Sequence, residues 1–199
     1  MPGDSRPQSR LFRAGFSLSR RIAIELDALA NVNTEHENGE SAGDFWAGLD
    51  EREPRIVSRL AELAAGRQWE ILFLTKGHAS RDNAQADAQR WLESKGFALP
   101  SVYVAPGSRG RIAAALNLDI VIDGSPENCE DVARQSSARA VFVWRAEQNV
   151  LPEDPSRRFD IAKSVGECLD KLTTTDRPSH ETGWLAWARR LFGSKEAKA

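Results

Sequence analysis

Residues 22–27 read Ile-Ala-Ile-Glu-Leu-Asp, a short apolar run that leads directly into two acids. An apolar run of this length is typical of a strand buried on both faces of a sheet. Glu25 and Asp27 stand two residues apart, so an extended chain would carry both side chains on the same side. The sequence therefore predicts a first strand over 22–26 that delivers a pair of acids at its carboxyl end.

Further apolar runs alternate with stretches of helical periodicity along the chain. Residues 56–64 repeat apolar side chains at i, i+3, i+4 spacing, and Gly66 is expected to end that helix. This alternation predicts an α/β fold, a three-layer Rossmann-like parallel sheet with helices on both faces. The predicted strands are 22–26, 71–74, 101–104, 120–122 and 140–144, and the predicted helices lie over 56–64, 85–92, 112–116, the stretch after Pro126, and 161–172.

Polar side chains follow these strands at the points where they end. Thr75 and Lys76 follow the second strand, Arg109 begins the helix after the third, and Asp123 ends the fourth. Ligands of such sheets lie beyond the carboxyl ends of the strands. Carboxylates can hold Mg²⁺, and a hydroxyl and a cation can hold phosphate oxygens. The alternative is that strand-end Asp and Thr residues only cap helices and turns.

The order of these residues resembles the haloacid dehalogenase (HAD) superfamily, nearest to its 5′-nucleotidase-like branch. Residues 22–27 are similar to the family's first motif, an apolar strand ending in Asp-x-Asp. Residues 72–75 are similar to the second motif, and 119–128 to the fourth, a strand ending in Asp-Asp. Arg109 falls where the Lys or Arg of the third motif belongs. The resemblance covers roughly residues 21–144.

This resemblance implies a Mg²⁺-dependent hydrolase of phosphomonoesters such as nucleotides. It places Glu25 in the nucleophile's position and Asp27 as the general acid/base. The implied phosphate-binding residues are Thr75, Lys76 and Arg109, and the implied metal ligands are Glu25, Asp27 and Asp123.

Two positions depart from the family pattern. The family's nucleophile is Asp, whereas Glu25 is one methylene longer, and a misplacement of about 1 Å can cost on the order of 100-fold in rate. Gly124 replaces the second acid of the fourth motif, which removes a metal ligand or an orienting group and relaxes the turn. Both departures predict weakened or lost activity. The alternative function is a non-catalytic protein of this fold that binds a ligand or partner.

The loop over 31–46 is too short for a folded cap domain, so we expect a minimal cap or none. His36 and Trp46 could contact a substrate from this loop, but we favour a Trp46 that fixes the loop to the core. His78 follows the second motif, where it either contacts phosphate or is solvated.

The two ends of the chain differ in composition from the middle. Residues 1–19 are basic and are expected to be a disordered tail, although an organelle transit peptide is the alternative. The domain is predicted over 20–173 and is followed over 174–199 by a linker and a short amphipathic helix. That helix either packs on its own domain or docks weakly on a membrane surface or protein partner, through Trp184, Trp187, Leu191 and Phe192.

Composition excludes some classes of function. A chain of 199 residues with 41% hydrophobic residues can build one core, and a net charge of −2 argues against a nucleic-acid partner. Cys129 and Cys168 suggest neither a disulfide framework nor a metal site, which favours a reducing compartment. No apolar run approaches the roughly 20 residues of a membrane span, and we expect a cytoplasmic protein.

Overall fold

The computed structural model describes residues 20–31, 46, 48–76, 83–145 and 158–175, and its described strands form one parallel sheet. The strands are β1 Arg21–Glu25, β2 Glu70–Thr75, β3 Ser101–Val104, β4 Ile120–Asp123, β5 Arg139–Val143 and β6 Asp160–Ala162. They lie in the order β3-β2-β1-β4-β5-β6, and every neighbouring pair is parallel. The predicted parallel α/β fold is therefore confirmed.

Helices cover both faces of this sheet. Alternate strand residues point to opposite faces, so Ile22 and Ile24 contribute to one apolar cluster and Ala23 to another. The described helices are α1 Leu26–Leu29, α2 Ile56–Arg67, α3 Ala84–Ser94, α4 Arg109–Ala115, α5 Pro126–Gln135 and α6 Val165–Thr175. The first cluster includes residues of α1, α2, α3 and α6, and the second includes residues of α4 and α5. The three-layer prediction is confirmed.

The end of α2 differs from the prediction. The helix continues past Gly66 to Arg67, and Gln68 takes the left-handed conformation that ends it, at φ 56° and ψ 36°. Its backbone N–H donates to the carbonyl oxygen of Ala64. Gly66 lies within the helix with open space beside it, so the glycine is not the terminator.

The stretch predicted as a helix over 161–172 begins with a strand instead. Asp160–Ala162 form β6, which is defined by its pairing with β5, a partner that periodicity cannot reveal. Ser164 then caps α6, since its Oγ accepts from the N–H of Glu167 at 3.0 Å. Thr173 and Thr174 donate back to the carbonyl of Asp170, so the helix continues past residue 173, where the linker was expected to begin.

The predicted role of Trp46 is confirmed. Its side chain is buried, and its ring centroid lies 5.6 Å from that of Trp91 on α3. The indole N–H of Trp91 donates to the carbonyl of Leu49 at 2.9 Å, and a bridge between Ala30 and Glu51 joins the two ends of the insertion. The described part of the insertion is therefore attached to the core.

Several predictions concern residues outside the described ranges. These are the tail over 1–19, the C-terminal segment after 175, and His36, His78, Trp184, Trp187, Leu191 and Phe192. Among the described residues, no helix combines the length and apolar character that a membrane span requires.

Candidate functional site

Glu25 and Asp123 meet at the carboxyl edge of the sheet, where β1 and β4 end side by side. Ile24 pairs with Ile122, so the next residue of each strand is one of these acids. Glu25 lies two residues after Ala23, and Asp123 lies two residues after Val121. Ala23 and Val121 belong to the apolar cluster that includes α4 and α5, so both acids lie on that same face of the sheet. Glu25 is 3% exposed and Asp123 is 0% exposed, so both carboxyl groups are withdrawn from water.

Arg109 lies between these two acids. Its Nη2 is 3.6 Å from Oε1 of Glu25, and its Nε is 3.6 Å from Oδ2 of Asp123. Its Nη1 donates to the carbonyl of Ala105 at 2.7 Å, and only 2% of the residue is exposed. Buried charges require partners, and here one guanidinium serves two carboxyl groups. The sequence predicted that these three residues come together, and the structure brings them together.

The start of α4 is fixed by Asp131 of α5, which positions Arg109. Oδ2 of Asp131 accepts from Oγ of Ser108 at 2.6 Å and from the N–H of Gly110 at 2.9 Å. Although burial opposes ionisation, these hydrogen bonds hold the pKa of Asp131 below its usual value. A Cβ atom at Gly110 would lie 2.3 Å from the carbonyl oxygen of Asp131, so the two helices can approach this closely only with glycine there.

Backbone and amide groups hold the acids from the opposite side. The N–H of Gly124 donates to Oε2 of Glu25 at 3.1 Å, and the N–H of Ser125 donates to Oδ1 of Asp123 at 2.8 Å. Nδ2 of Asn128 donates to both oxygens of Asp123 at 3.1 Å. These donors leave Asp123 well satisfied and fix its orientation at the start of α5.

The burial of this cluster changes its acid–base properties. Burial and the neighbouring Asp123 carboxyl raise the pKa of Glu25 to about 7, although Gly124 and Arg109 oppose the shift. Burial, with Asp123 and Glu25 nearby, also raises the pKa of the Cys129 thiol far above its usual range. Near neutral pH, Glu25 is therefore partly protonated, and Cys129 is an inert thiol.

Asp27 is not on the strand with Glu25, so the predicted same-side arrangement is wrong. The extended conformation ends at Glu25, and α1 begins at Leu26, so the two-residue alternation no longer applies. The carbonyl oxygen of Asp27 accepts from Nε of Arg52 at 3.0 Å and also from Nη2 of Arg145. The side chain of Asp27 is partly exposed, and its charge acts on Arg145.

Thr75 and Lys76 lie at the same edge but not in the buried cluster. Thr75 follows Leu74, which faces the α4–α5 cluster, so strand alternation turns Thr75 toward the opposite face. Its carbonyl accepts from the N–H of Ala105 at 2.7 Å. Lys76 is exposed. The pKa of Glu127 is lowered mainly by a hydrogen bond from Ser125, and the positive charge of Lys76 adds to that shift.

Arg145 is the site residue that the sequence prediction missed. It follows β5, and its charge faces the carboxylates of Asp27, Glu25 and Asp123. Burial lowers the pKa of this guanidinium, and the three carboxylates oppose that shift. Its place directly after the fifth apolar run is the signal that could have identified it, because the same rule selected Thr75 and Asp123.

A pocket of about 370 Å³ opens beside this cluster, beyond the ends of β5 and β6. Among the described residues that line it, three are cationic and one is acidic: Arg52, Arg145 and Lys163, with Glu53. The Glu53 carboxylate already accepts from the N–H groups of Val165 at 2.7 Å and of Gly166 at 3.0 Å. That acid is thus bound to the N-terminus of α6, where the helix dipole favours a negative charge.

The site does not fit the Mg²⁺ ion that the family resemblance implies. Within the described ranges, no three His, Cys, Asp or Glu side chains are grouped so that they could hold a metal ion. Mg²⁺ needs near-octahedral oxygen ligands at about 2.0–2.1 Å. Here Glu25 and Asp123 instead face the guanidinium of Arg109, and Asp27 lies in a separate helix.

The chain matches no protein-family model and no curated protein. Among solved structures it is similar to a HAD-like family hydrolase from Xanthomonas campestris, at 10% identity, with 79% of this chain and 96% of that chain covered and a TM-score of 0.49. It is also similar to a designed Rossmann 3x3 fold protein, at 16% identity, 78% and 93% coverage and a TM-score of 0.37. A universal stress protein in complex with cAMP has 14% identity, 63% and 96% coverage and a TM-score of 0.33. At such identities the roles of residues do not transfer from these structures to this chain.

Proposed function

We propose that this chain is a HAD-like phosphohydrolase scaffold that does not hydrolyse phosphomonoesters and instead binds a small phosphorylated molecule. The motif residues on β1, the start of α4 and β4 support the HAD-like assignment, since they converge at one sheet edge in the family's order. The departures at Glu25 and Gly124 support the loss of hydrolysis.

One observation carries this proposal: the carboxyl group in the nucleophile's place is neutralised within the protein. Glu25 is 3% exposed, with Oε1 3.6 Å from Arg109 and Oε2 accepting from Gly124. An attacking carboxylate must be ionised and must reach the phosphorus atom. A Glu25 whose pKa is raised to about 7, and which is surrounded by protein donors, meets neither requirement well.

The cationic pocket supports the binding of a phosphorylated ligand beside the buried cluster. Guanidinium and ammonium groups bind phosphate oxygens through charge-assisted hydrogen bonds. Arg52 and Arg145 donate to the same carbonyl, that of Asp27, so their positions are fixed together before any ligand arrives. The pocket volume of about 370 Å³ lies within the roughly 300–1,000 Å³ of small-molecule sites.

The hydrolysis half of the proposal is tested with Mg²⁺, an aryl phosphate and a panel of nucleotides. We expect the wild-type chain to show only background turnover. Wild-type turnover that is abolished by Asp27→Asn would overturn the proposal. A Glu25→Asp, Gly124→Asp double variant is the natural attempt at restoration, but the new side chain in place of Gly124 would meet Arg145. An Arg145→Ser change should therefore be added in a triple variant.

The binding half is tested by calorimetry with inorganic phosphate and with a nucleoside monophosphate. Lys163→Ala removes a cation that lines the pocket and should weaken binding at least roughly five-fold. Lys171→Ala is the matched control, because Lys171 is also an exposed lysine of this region but pairs with Glu167. Equal effects of the two variants, or no binding to the wild-type chain, would contradict this part.

A further inference from the structure

Arg145 is placed where the acids of the site converge. Its Nη2 donates to the carbonyl oxygen of Asp27, which links the end of β5 to α1. A Cβ atom built at Gly124 would lie 2.8 Å from this Nη2, 3.4 Å from Cζ of Arg145 and 3.5 Å from Oε2 of Glu25. The guanidinium and the Glu25 carboxyl therefore flank the same small volume above Gly124.

Burial lowers the pKa of the Arg145 guanidinium, and the neighbouring carboxylates oppose that shift. The carboxylates of Asp27, Glu25 and Asp123 all act on it, and each favours its charged form. These are the three residues that the family resemblance implies as Mg²⁺ ligands. The side chain is itself partly buried, so the carboxylates act on it through a poorly screened medium.

The presence of glycine at position 124 follows from this arrangement of side chains and not from the backbone conformation at that position. Among the described glycines, only Gly96 has the positive φ that side chains rarely adopt, so the backbone of Gly124 would accept another residue. The expectation that glycine relaxes the turn is therefore wrong. A Cβ atom at this position would lie 2.8 Å from Nη2 of Arg145, so a side chain there would displace the guanidinium from its present place beside Glu25.

We infer that Arg145 is a built-in cation that takes the place of a divalent metal ion, and that the absence of a side chain at Gly124 leaves open the space its guanidinium occupies. This inference rests on the proposed function, because it gives the reason why hydrolysis is absent. Glu25 and Asp123 face the guanidinium of Arg109, and the charges of these two acids and of Asp27 act on Arg145. A divalent ion added to this cluster would be repelled by both cations and would lack the volume above Gly124.

The test measures metal binding rather than activity. Mg²⁺ binding is followed by calorimetry, and Mn²⁺ binding by electron paramagnetic resonance, on the full-length chain. We expect no binding by the wild-type chain at millimolar metal. The Gly124→Asp, Arg145→Ser double variant should bind Mn²⁺ at least ten-fold more tightly, because it removes the internal cation and adds a ligand. Arg139→Ala is the matched control, since Arg139 is an exposed arginine on β5, the strand that precedes Arg145, and pairs with Asp160.

Each outcome decides the inference. Site-specific Mg²⁺ binding by the wild-type chain would overturn it, as would a folded double variant that gains no affinity. If the double variant does not fold, Arg145→Met, which keeps most of the side-chain volume, serves as the second test and should bind Mn²⁺ more tightly than the wild-type chain. Wild-type hydrolysis without metal would overturn the proposed function alone, whereas wild-type metal binding without hydrolysis would overturn this inference alone.

Discussion

The carboxyl groups of Glu25 and Asp123 share a hydrogen-bond contact at the point where β1 and β4 end together. Burial, and after it the charge and hydrogen bonding of Asp123, raise the pKa of Glu25 from 4.5 to about 7. Because the pKa of Glu25 is higher in the folded than in the unfolded protein, the protonated carboxyl stabilises the fold. This contribution is fully present below the unfolded pKa of 4.5. This stabilisation is lost as the pH rises through about 7.

The first prediction concerns the pH dependence of stability. Glu25→Gln should remove a component of roughly 1–3 kcal/mol by which the free energy of unfolding falls between about pH 4.5 and pH 7.5. Urea unfolding of both proteins across this range measures the difference. Glu62→Gln, on the exposed side of α2, should leave the pH dependence unchanged. Parallel curves for wild type and Glu25→Gln would show that Glu25 titrates normally.

The second prediction concerns the shared cation. Arg109→Met leaves two buried carboxyl groups without their guanidinium and should lower the free energy of unfolding by about 3–5 kcal/mol. Adding Glu25→Gln and Asp123→Asn to that variant should recover much of the loss, because neutral amides need no counter-charge. Arg111→Met, at an exposed position of the same helix, should change stability by less than roughly 0.5 kcal/mol. A triple variant no more stable than Arg109→Met would refute the electrostatic explanation.

The third prediction concerns the residue that positions Arg109. Asp131→Ala removes the acceptor for Ser108 and Gly110 and should destabilise the fold by about 1–2 kcal/mol. Because Arg109 opposes the raised pKa of Glu25 and would be held less firmly, the pH component attributed to Glu25 should grow. Glu130→Ala, one residue earlier on α5, tests whether the effect is specific. Equal losses in the two variants would mean that α5 is sensitive to any alanine here.

The sheet could be predicted from the sequence because its strands are apolar runs buried on both faces, as at Ile120–Asp123 and Arg139–Val143. The meeting of Glu25, Arg109 and Asp123 was predictable for the same reason, since parallel strands place their carboxyl ends together. The prediction placed Asp27 on the same side as Glu25 because it assumed that the strand continues. Instead α1 begins at Leu26, directly after Glu25, and such a short helix has no recognisable periodicity in the sequence. Arg145 was missed although it directly follows the fifth apolar run, because the sequence does not show whether its side chain turns toward the acids or toward solvent.

The fourth prediction concerns the insertion after β1. Trp46→Ala removes a buried aromatic side chain that contacts Trp91. This change should lower the free energy of unfolding by about 3–5 kcal/mol. Hydrogen exchange should accelerate first at the amides of Asn31 and Arg52, which bond to Asp50 and Leu29 across the base of the loop. Trp91→Phe should be milder, since it loses mainly the bond to Leu49. Unchanged exchange at these amides would mean that the base of the loop holds without Trp46.

The contact between Gly124 and Arg145 also restricts the order in which this sequence could change. An acid introduced at Gly124 alone would displace the guanidinium, whose Nη2 lies 2.8 Å from the position of the first side-chain atom. Loss of Arg145 alone would leave the carboxyl groups of Asp27, Glu25 and Asp123 short of a positive charge. Each of the two single changes is therefore expected to be unfavourable on its own, although the two together are compatible. The residues at positions 124 and 145 are therefore energetically coupled, and their variation among related sequences should be strongly correlated.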